Sequence, residues 1–386
     1  MKKKLCVLLV ISLIFTFSSC TQTGTDEPSV PSLPSSSESS QSQSKEDPDS
    51  LPIYLNAQLK EQNRANQNSC SFIAEDERSY YYRHPIKGTL YRYDKETGRQ
   101  KILFDKHFEY SQNGFLHSVK LFNNQIYFVT HTADDQVPTL YSIDRNGKNL
   151  ERIVEWVGDN YILTEDYIYF THYTFSTSDE GIVQFNRKTK EIKYLEKSYC
   201  WYLNLVGNSL YYIGAQYDSN NDYTGNPTVC KYNLDSGIRE QIDVVGDYTK
   251  KLSGLEELYY LDGNLYFRSS YLADENTPIS GIYRYNLKTC KTEELLNSSG
   301  LSHFGPNLGF ERYVVVSENH IYAISSFRNK TVVSEIKNGV KTFTPYTFSK
   351  PRGDTLYVGD QVILVPFFFN EQPLQGYPEL NNISAQ

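Results

Sequence analysis

The sequence has little of what indicates a membrane-spanning or helical protein. Its one long apolar run, residues 5–17, is shorter than the roughly 20 residues that a transmembrane helix needs. The chain contains one methionine and 33 tyrosines, and few apolar stripes at helical spacing. This composition favours strands over helices.

The usual catalytic motifs are also missing. There is no nucleophile elbow, no HExxH zinc helix, no phosphate-binding glycine loop and no CxxC pair. The sequence therefore indicates no particular enzyme class, and we expect no bound cofactor.

Disulfides are not expected within the predicted fold. Cys200 and Cys230 fall on the first and third strands of one predicted repeat, which places them roughly 9–10 Å apart. A disulfide needs Cα atoms within about 7 Å. We therefore expect Cys200, Cys230, Cys70 and Cys290 to be free thiols, mostly buried.

The N-terminus has the order of a bacterial lipoprotein. Three lysines precede the apolar run, which ends at Ser18, Ser19 and Cys20. This end resembles a lipobox, although Phe17 stands where leucine is usual. The resemblance implies that residues 1–19 are a signal peptide and that Cys20 is lipidated; the alternative is an ordinary secretory signal.

Residues 20–51 are rich in serine and proline and almost lack large apolar side chains. Such a segment cannot bury enough surface to offset its ordering entropy, so it predicts a disordered tether with a reach of roughly 30 Å.

The formal net charge of the chain is −8. An acidic balance argues against nucleic acid and against an anionic membrane surface as partners.

A tyrosine-rich unit of about 40 residues recurs through the rest of the chain. Each unit contains two hairpins, with turns such as Asp262-Gly263-Asn264 between strands of Tyr, Leu and Phe. Four strands per repeat predict an all-β propeller of four-stranded antiparallel blades over residues 70–369, followed by a tail at 370–386. Six complete repeats and a seventh hairpin at 356–365 favour seven blades. Six blades, or a two-sheet sandwich, are the alternatives.

Two units resemble the YWTD repeat of low-density-lipoprotein-receptor-like propellers. They are Tyr169-Phe170-Thr171 with Ile182-Val183, and Ile282-Tyr283-Arg284-Tyr285-Asn286. Tyrosine-rich units of this kind are also similar to those of bacterial lipoproteins of unknown function. The resemblance implies a propeller with a binding role and no catalytic residues. The closing Asp of the motif is absent from every copy, so its role between blades does not transfer.

The connections between the second and third strands are long and lie on one face of a propeller. They carry carboxylates beside aromatic rings, and we expect this face to bind a protein or glycan at the cell surface. The predicted binding residues are Asp134, Tyr173, Asp179, Asp218, Asp222, Tyr223 and Asp274. The alternative is a lactonase-like propeller hydrolase with a metal ion in the central channel.

Two sets of residues are weak candidates for metal ligands. His84, His131 and His172 each end the second strand of successive repeats, but neighbouring blades lie too far apart for them to converge easily on one ion. Asp218, Asn220 and Asp222 match the opening of a calcium loop that lacks its glycine and its final glutamate. Surface histidines and a polar turn are the favoured interpretations.

Overall fold

The fold is described from a computed structural model. It describes residues 73–83, 89–105, 118–130, 137–172, 180–217, 223–245, 252–274, 277–301, 309–310, 312–317, 320–327, 330–347, 357–358 and 363–364. All of them lie in the second of the two units into which the chain divides, Pro48–Gln386. The predicted signal peptide, Cys20 and the tether lie outside the described residues and stay predictions.

Six four-stranded antiparallel sheets follow one another along the chain. Blade 1 contains β1 (Ile73–Glu75), β2 (Ser79–Arg83), β3 (Leu90–Asp94) and β4 (Gln100–Phe104). Blade 2 contains β5 (Val119–Phe122), β6 (Gln125–Thr130), β7 (Thr139–Asp144) and β8 (Glu151–Glu155). Blade 3 contains β9 (Val157–Leu163), β10 (Tyr167–His172), β11 (Gly181–Asn186) and β12 (Ile192–Glu196).

The second half of the chain repeats the same arrangement. Blade 4 contains β13 (Cys200–Val206), β14 (Ser209–Tyr217), β15 (Tyr223–Asn233) and β16 (Arg239–Ile242). Blade 5 contains β17 (Ser253–Leu261), β18 (Asn264–Asp274), β19 (Thr277–Asn286) and β20 (Lys291–Asn297), followed by a 3-10 helix (Ser298–Leu301). Blade 6 contains β21 (Arg312–Ser317), β22 (His320–Phe327), β23 (Lys330–Lys337) and β24 (Val340–Thr347).

The sheets form a β-propeller, as the repeat predicted. Each is a simple meander, and first strands of neighbouring blades contact one another at β1–β5, β9–β13, β13–β17 and β17–β21. The first strand of a blade is therefore its inner strand. No helix in the described part of the chain is long and apolar enough to span a membrane.

The favoured count of seven blades is not confirmed. Beyond blade 6 the structure describes a two-stranded sheet, β25 (Tyr357–Val358) with β26 (Ile363–Leu364), where the seventh hairpin was predicted. Strand β25 contacts β21 of blade 6. Two short strands do not make a blade, so the described residues contain six complete blades.

Turn residues account for the tight hairpins. Asp262 and Gly263, which join β17 to β18, have φ values of 47° and 79°. Asn123 and Asn124, which join β5 to β6, have values of 48° and 65°. Two successive residues with positive φ match the twist of a two-residue hairpin, and Asn, Asp and Gly tolerate that conformation best.

Second-strand tyrosines form the core between blades. All six are buried, and in blades 1 to 5 each tyrosine packs in a cluster that it shares with the following blade. They are Tyr81, Tyr127, Tyr169, Tyr211, Tyr266 and Tyr322. This repeated position is therefore part of the core of every described blade.

Hydrogen bonds also connect the inner strands of neighbouring blades. The Tyr161 hydroxyl on β9 donates to the Ser118 carbonyl at 2.8 Å, just before β5. In blade 6 the hydroxyl of Tyr313 donates to the carbonyl of Glu257 on β17. Between blades 4 and 5, Asn204 donates to the Leu258 carbonyl at 3.0 Å. These bonds connect neighbouring blades and give buried carbonyl groups a donor.

Candidate functional site

The structure describes only part of the predicted binding face. Tyr223 begins β15 and pairs with Tyr217, and Asp274 ends β18 and pairs with Thr277. Both therefore lie at the end of their blades that carries the connections from second to third strands, as expected. The other predicted residues lie outside the described residues: Asp134, Tyr173, Asp179, Asp218, Asn220, Asp222, His84 and His131.

His172 is the one predicted metal candidate whose side chain is described, and it belongs to an aromatic cluster. It ends β10, and its ring centroid lies 6.4 Å from that of Trp156 and 5.3 Å from that of Tyr194, edge-on to the latter. The Tyr194 hydroxyl is 3.4 Å from His172 Nε2. Within the described ranges, no three His, Cys, Asp or Glu side chains are placed to hold a metal ion.

The cluster depends on Gly181 as a spacer. Gly181 begins β11 directly opposite His172, and its neighbour in the sheet is the end of β12. A Cβ at this position would lie 2.0 Å from the Glu196 carbonyl oxygen. The absent side chain lets β12 come close, which brings the Tyr194 ring to His172 across the sheet.

Trp156 holds its place through an unusual backbone conformation. It sits between β8 and β9 with a φ of 60°, which is rare for a bulky residue. The pairing of β9 with β10 is irregular beside it, between Phe170 and His172. Bulges and positive φ values often change the direction of a side chain beside a functional site. Here both occur at the point where the chain enters blade 3, next to the aromatic cluster.

A second aromatic pair lies where blade 3 passes into blade 4. The rings of Tyr199 and Trp201 meet edge-on with centroids 3.9 Å apart. Tyr199 is 43% exposed and Tyr194 is 40% exposed. Links from a fourth strand to the next first strand lie at the same end as the predicted loops. We call Trp156, His172, Tyr194, Tyr199 and Trp201 the blade-3 rim.

Two charged side chains border the rim. The Lys197 ammonium lies over the Tyr194 ring, 5.6 Å from its centroid. Glu180, immediately before β11, is 8% exposed, and its Oε2 has no hydrogen-bond partner among the described residues. Burial raises the pKa of this carboxyl above its ordinary value. A buried carboxyl group of this kind can bond a ligand hydroxyl without displacing an existing protein contact.

Most of the rim was not predicted from the sequence. The predicted binding residues lie in the loops between second and third strands, whereas Trp156, Tyr199 and Trp201 lie in or next to the links between blades. One signal was present: the chain has only two tryptophans, and they stand 45 residues apart, close to the blade repeat.

The buried cysteines belong to a different cluster, between blades 3 and 4. Cys200 and Cys230 are free, as predicted, while Cys290 is exposed and Cys70 lies outside the described residues. Arg239 donates to the Cys230 sulfur at 3.1 Å, but burial dominates and raises the pKa of Cys230 to about 11. Both thiols are therefore protonated at neutral pH, and they are packing groups more than nucleophiles.

Polar side chains of the inner strands are used within the fold. Five inner strands each carry one buried polar residue: Glu75, Lys120, Asn160, Asn204 and Glu257. Lys120 donates to the Tyr161 carbonyl of the next blade, and Glu75 pairs with Lys95 at 2.9 Å. Lys120, Glu75 and Asn204 therefore have partners within the fold.

No family model and no curated protein matches the chain. Solved structures do match it. TolB from Acinetobacter baumannii is 13% identical with a TM-score of 0.45, over 69% of this chain and 63% of that one. An oligogalacturonate lyase in complex with manganese is 13% identical with a TM-score of 0.48, over 69% and 75%. A nidogen/laminin complex is 13% identical with a TM-score of 0.37, over 58% and 78%.

These similarities assign no ligand and no activity to the chain, because every identity is low and every TM-score is below 0.5. The chain spans less than two thirds of the length of the TolB structure. What the protein binds has to be argued from its own residues.

Proposed function

We propose that the protein is a lipid-anchored extracytoplasmic propeller that binds a cell-surface glycan through the blade-3 rim. The observation that carries the proposal is the set of aromatic side chains at one end of blades 3 and 4, with Tyr194 and Tyr199 partly exposed. Aromatic rings offer an apolar face to the C–H surface of a sugar, while a tyrosine or indole donor bonds its hydroxyls.

Glu180 supports a neutral, hydroxyl-rich ligand over a basic protein. Its carboxyl is buried, and among the described residues its Oε2 has no hydrogen-bond partner, so a ligand hydroxyl can bond to it. Burial raises the pKa of this carboxyl, which makes the group less suited to pairing with a basic partner.

Membrane attachment through Cys20 is the other part of the proposal. It is supported by the order of signal, cysteine and tether in the sequence. Fractionation of cells that express Cys20→Ala is its test: the variant should leave the membrane fraction. A variant that stays as firmly membrane-bound as the parent would exclude the lipid anchor.

The binding proposal is tested with glycan fragments released from the cell surface. Retention on immobilised protein should fall at least tenfold when Trp156→Ala and Tyr194→Ala are combined. Ile238→Ala is the matched control, because it removes an exposed apolar side chain at the opposite end of the blades. Glycan retention should also change little between low and physiological ionic strength, whereas a protein partner steered by charge would be lost. Equal retention by parent and double variant refutes the proposal.

A further inference from the structure

The end of the propeller opposite the blade-3 rim has an unexpected charge. The turns between third and fourth strands of blades 1 to 3, with their flanks, are residues 94–102, 144–152 and 186–193. They contain ten Lys and Arg against five Asp and Glu, in a chain of formal net charge −8. We propose that this outer turn surface docks on an anionic lipid bilayer.

The three turns form one continuous surface. Lys101 Nζ in blade 1 donates to the Asn146 carbonyl in the turn of blade 2 at 2.6 Å. Lys190 Nζ in blade 3 lies 3.6 Å from Glu151 Oε1 in blade 2. These contacts hold the turns side by side, so their charges act together on anything that approaches.

Six of the ten basic residues have partners within the fold. Arg145 pairs with Asp76 at 3.1 Å and is buried, and Arg187 donates to the Tyr127 hydroxyl at 2.6 Å. The remaining side chains of the surface include four that are exposed and available to headgroups. They are Arg99, Lys148, Lys188 and Lys193.

Exposed aliphatic side chains accompany these cations. Ile102 is 49% exposed, Leu150 is 39% exposed and Ile192 is 54% exposed, one in each of the three blades. Each stands on or next to an outer strand within four residues of a turn. Aliphatic groups interleaved with lysine and arginine match the boundary between headgroups and acyl chains of a bilayer. A soluble polyphosphate would use the cations alone.

Charge inside the ring explains why the contact is restricted to the outer edge. Of the inner turns, between first and second strands, that of blade 1 carries Glu77 beside Arg78, and that of blade 3 carries Glu165 and Asp166. Glu165 already accepts a hydrogen bond from Asn123 at 3.1 Å. Acidic groups near the axis would repel anionic lipid, so the bilayer contacts the outer turn surface. Because the outer turns lie at the opposite end of the blades, docking leaves the blade-3 rim open.

The test uses the chain from residue 20 onward with Cys20→Ser, so that no lipid anchors it. It should sediment with vesicles of 30% phosphatidylglycerol and 70% phosphatidylcholine at low salt, and not with pure phosphatidylcholine. A lysine near an anionic surface contributes about fivefold in binding. Changing Arg99, Lys148, Lys188 and Lys193 to Gln should therefore weaken binding by well over a hundredfold. Neutralising Lys197, Lys231, Lys288 and Lys291 in the same way should change it far less.

Several results overturn the proposal. It is wrong if the parent does not sediment with the anionic vesicles, if pure phosphatidylcholine binds it equally, or if both fourfold variants behave alike. The pair Ile102→Ser and Ile192→Ser should reduce vesicle binding severalfold but leave binding to soluble polyphosphate unchanged. If these two substitutions leave vesicle binding unchanged, the surface binds free polyanions and the bilayer proposal is wrong. None of these outcomes depends on whether the rim binds a glycan.

Discussion

Tyr161→Phe removes one hydroxyl from the bonds that join blades 2 and 3. Tyr161 is fully buried on β9, and its hydroxyl lies 2.8 Å from the Ser118 carbonyl and 3.0 Å from the Tyr127 carbonyl. Phenylalanine keeps the ring and the packing but leaves both carbonyls without this donor. Because water does not reach the site, nothing replaces the lost hydrogen.

The expected cost follows from that geometry. Leaving a buried acceptor without its donor costs about 1–3 kcal/mol. A propeller of this size unfolds with an entropy near 0.6 kcal/mol/K, so each kcal/mol lowers the melting temperature by about 1.5 °C. We therefore expect a fall of roughly 2–5 °C, measured by calorimetry or by far-ultraviolet circular dichroism.

Tyr211→Phe is the matched control. Tyr211 occupies the same kind of interface between blades 4 and 5 and is 9% exposed, but its hydroxyl makes no hydrogen bond to the described residues. Its removal should change the free energy of unfolding by less than about 0.5 kcal/mol. If the two variants have the same melting temperature, hydrogen bonds from tyrosine hydroxyls between inner strands do not stabilise the propeller.

Three further predictions concern the sheet edge, the thiols and high pH. Gly181→Ala should lower the melting temperature by several degrees and weaken glycan binding, because the added Cβ would collide with the Glu196 carbonyl. Gly309→Ala should be tolerated, because its nearest contact is at 3.5 Å. Equal melting temperatures of the two variants would contradict this account. Alkylation followed by peptide mapping should label exposed Cys290 well before Cys230, and simultaneous labelling would show that the blade 3–4 interface opens. Burial raises the pKa of Tyr161 and Tyr313, so their contribution to stability is complete below the unfolded pKa near 10 and is lost as the pH rises above it. Exposed tyrosines such as Tyr199 should ionise first in the folded protein, and a second rise in tyrosinate absorbance should coincide with unfolding. If the Tyr161→Phe variant loses its tyrosinate absorbance from the first rise and not from the second, this account is wrong.

The fold was largely predictable because its signals are local and repeated. Turn residues such as Asp262 and Gly263 set the hairpins, and tyrosines such as Tyr169 recur at one position in every blade. The number of blades was harder. Ring closure depends on how the two ends of the chain meet, and short-range patterns such as the hairpin at 356–365 carry no information on that geometry.

The candidate site was less predictable for a physical reason. The approach of Tyr194 to His172 requires the missing side chain at Gly181 and an irregular pairing of β9 with β10, and neither follows from alternation of apolar residues. The bonds between blades made by Arg145 and Arg187 were missed for the same reason. Arg145 bonds a residue 69 positions away and Arg187 one 60 positions away, in both cases in a different blade.

Tryptophan fluorescence tests the central claim most directly. The only two tryptophans of the chain, Trp156 and Trp201, both belong to the blade-3 rim, so a ligand bound there has to change the emission. Titration of the Trp201→Phe variant with surface glycan fragments should give a saturable change reported by Trp156, and adding Tyr194→Ala should weaken that binding at least tenfold. Saturable glycan binding, seen by calorimetry, that leaves the emission of both tryptophans unchanged would place the ligand elsewhere and contradict the account.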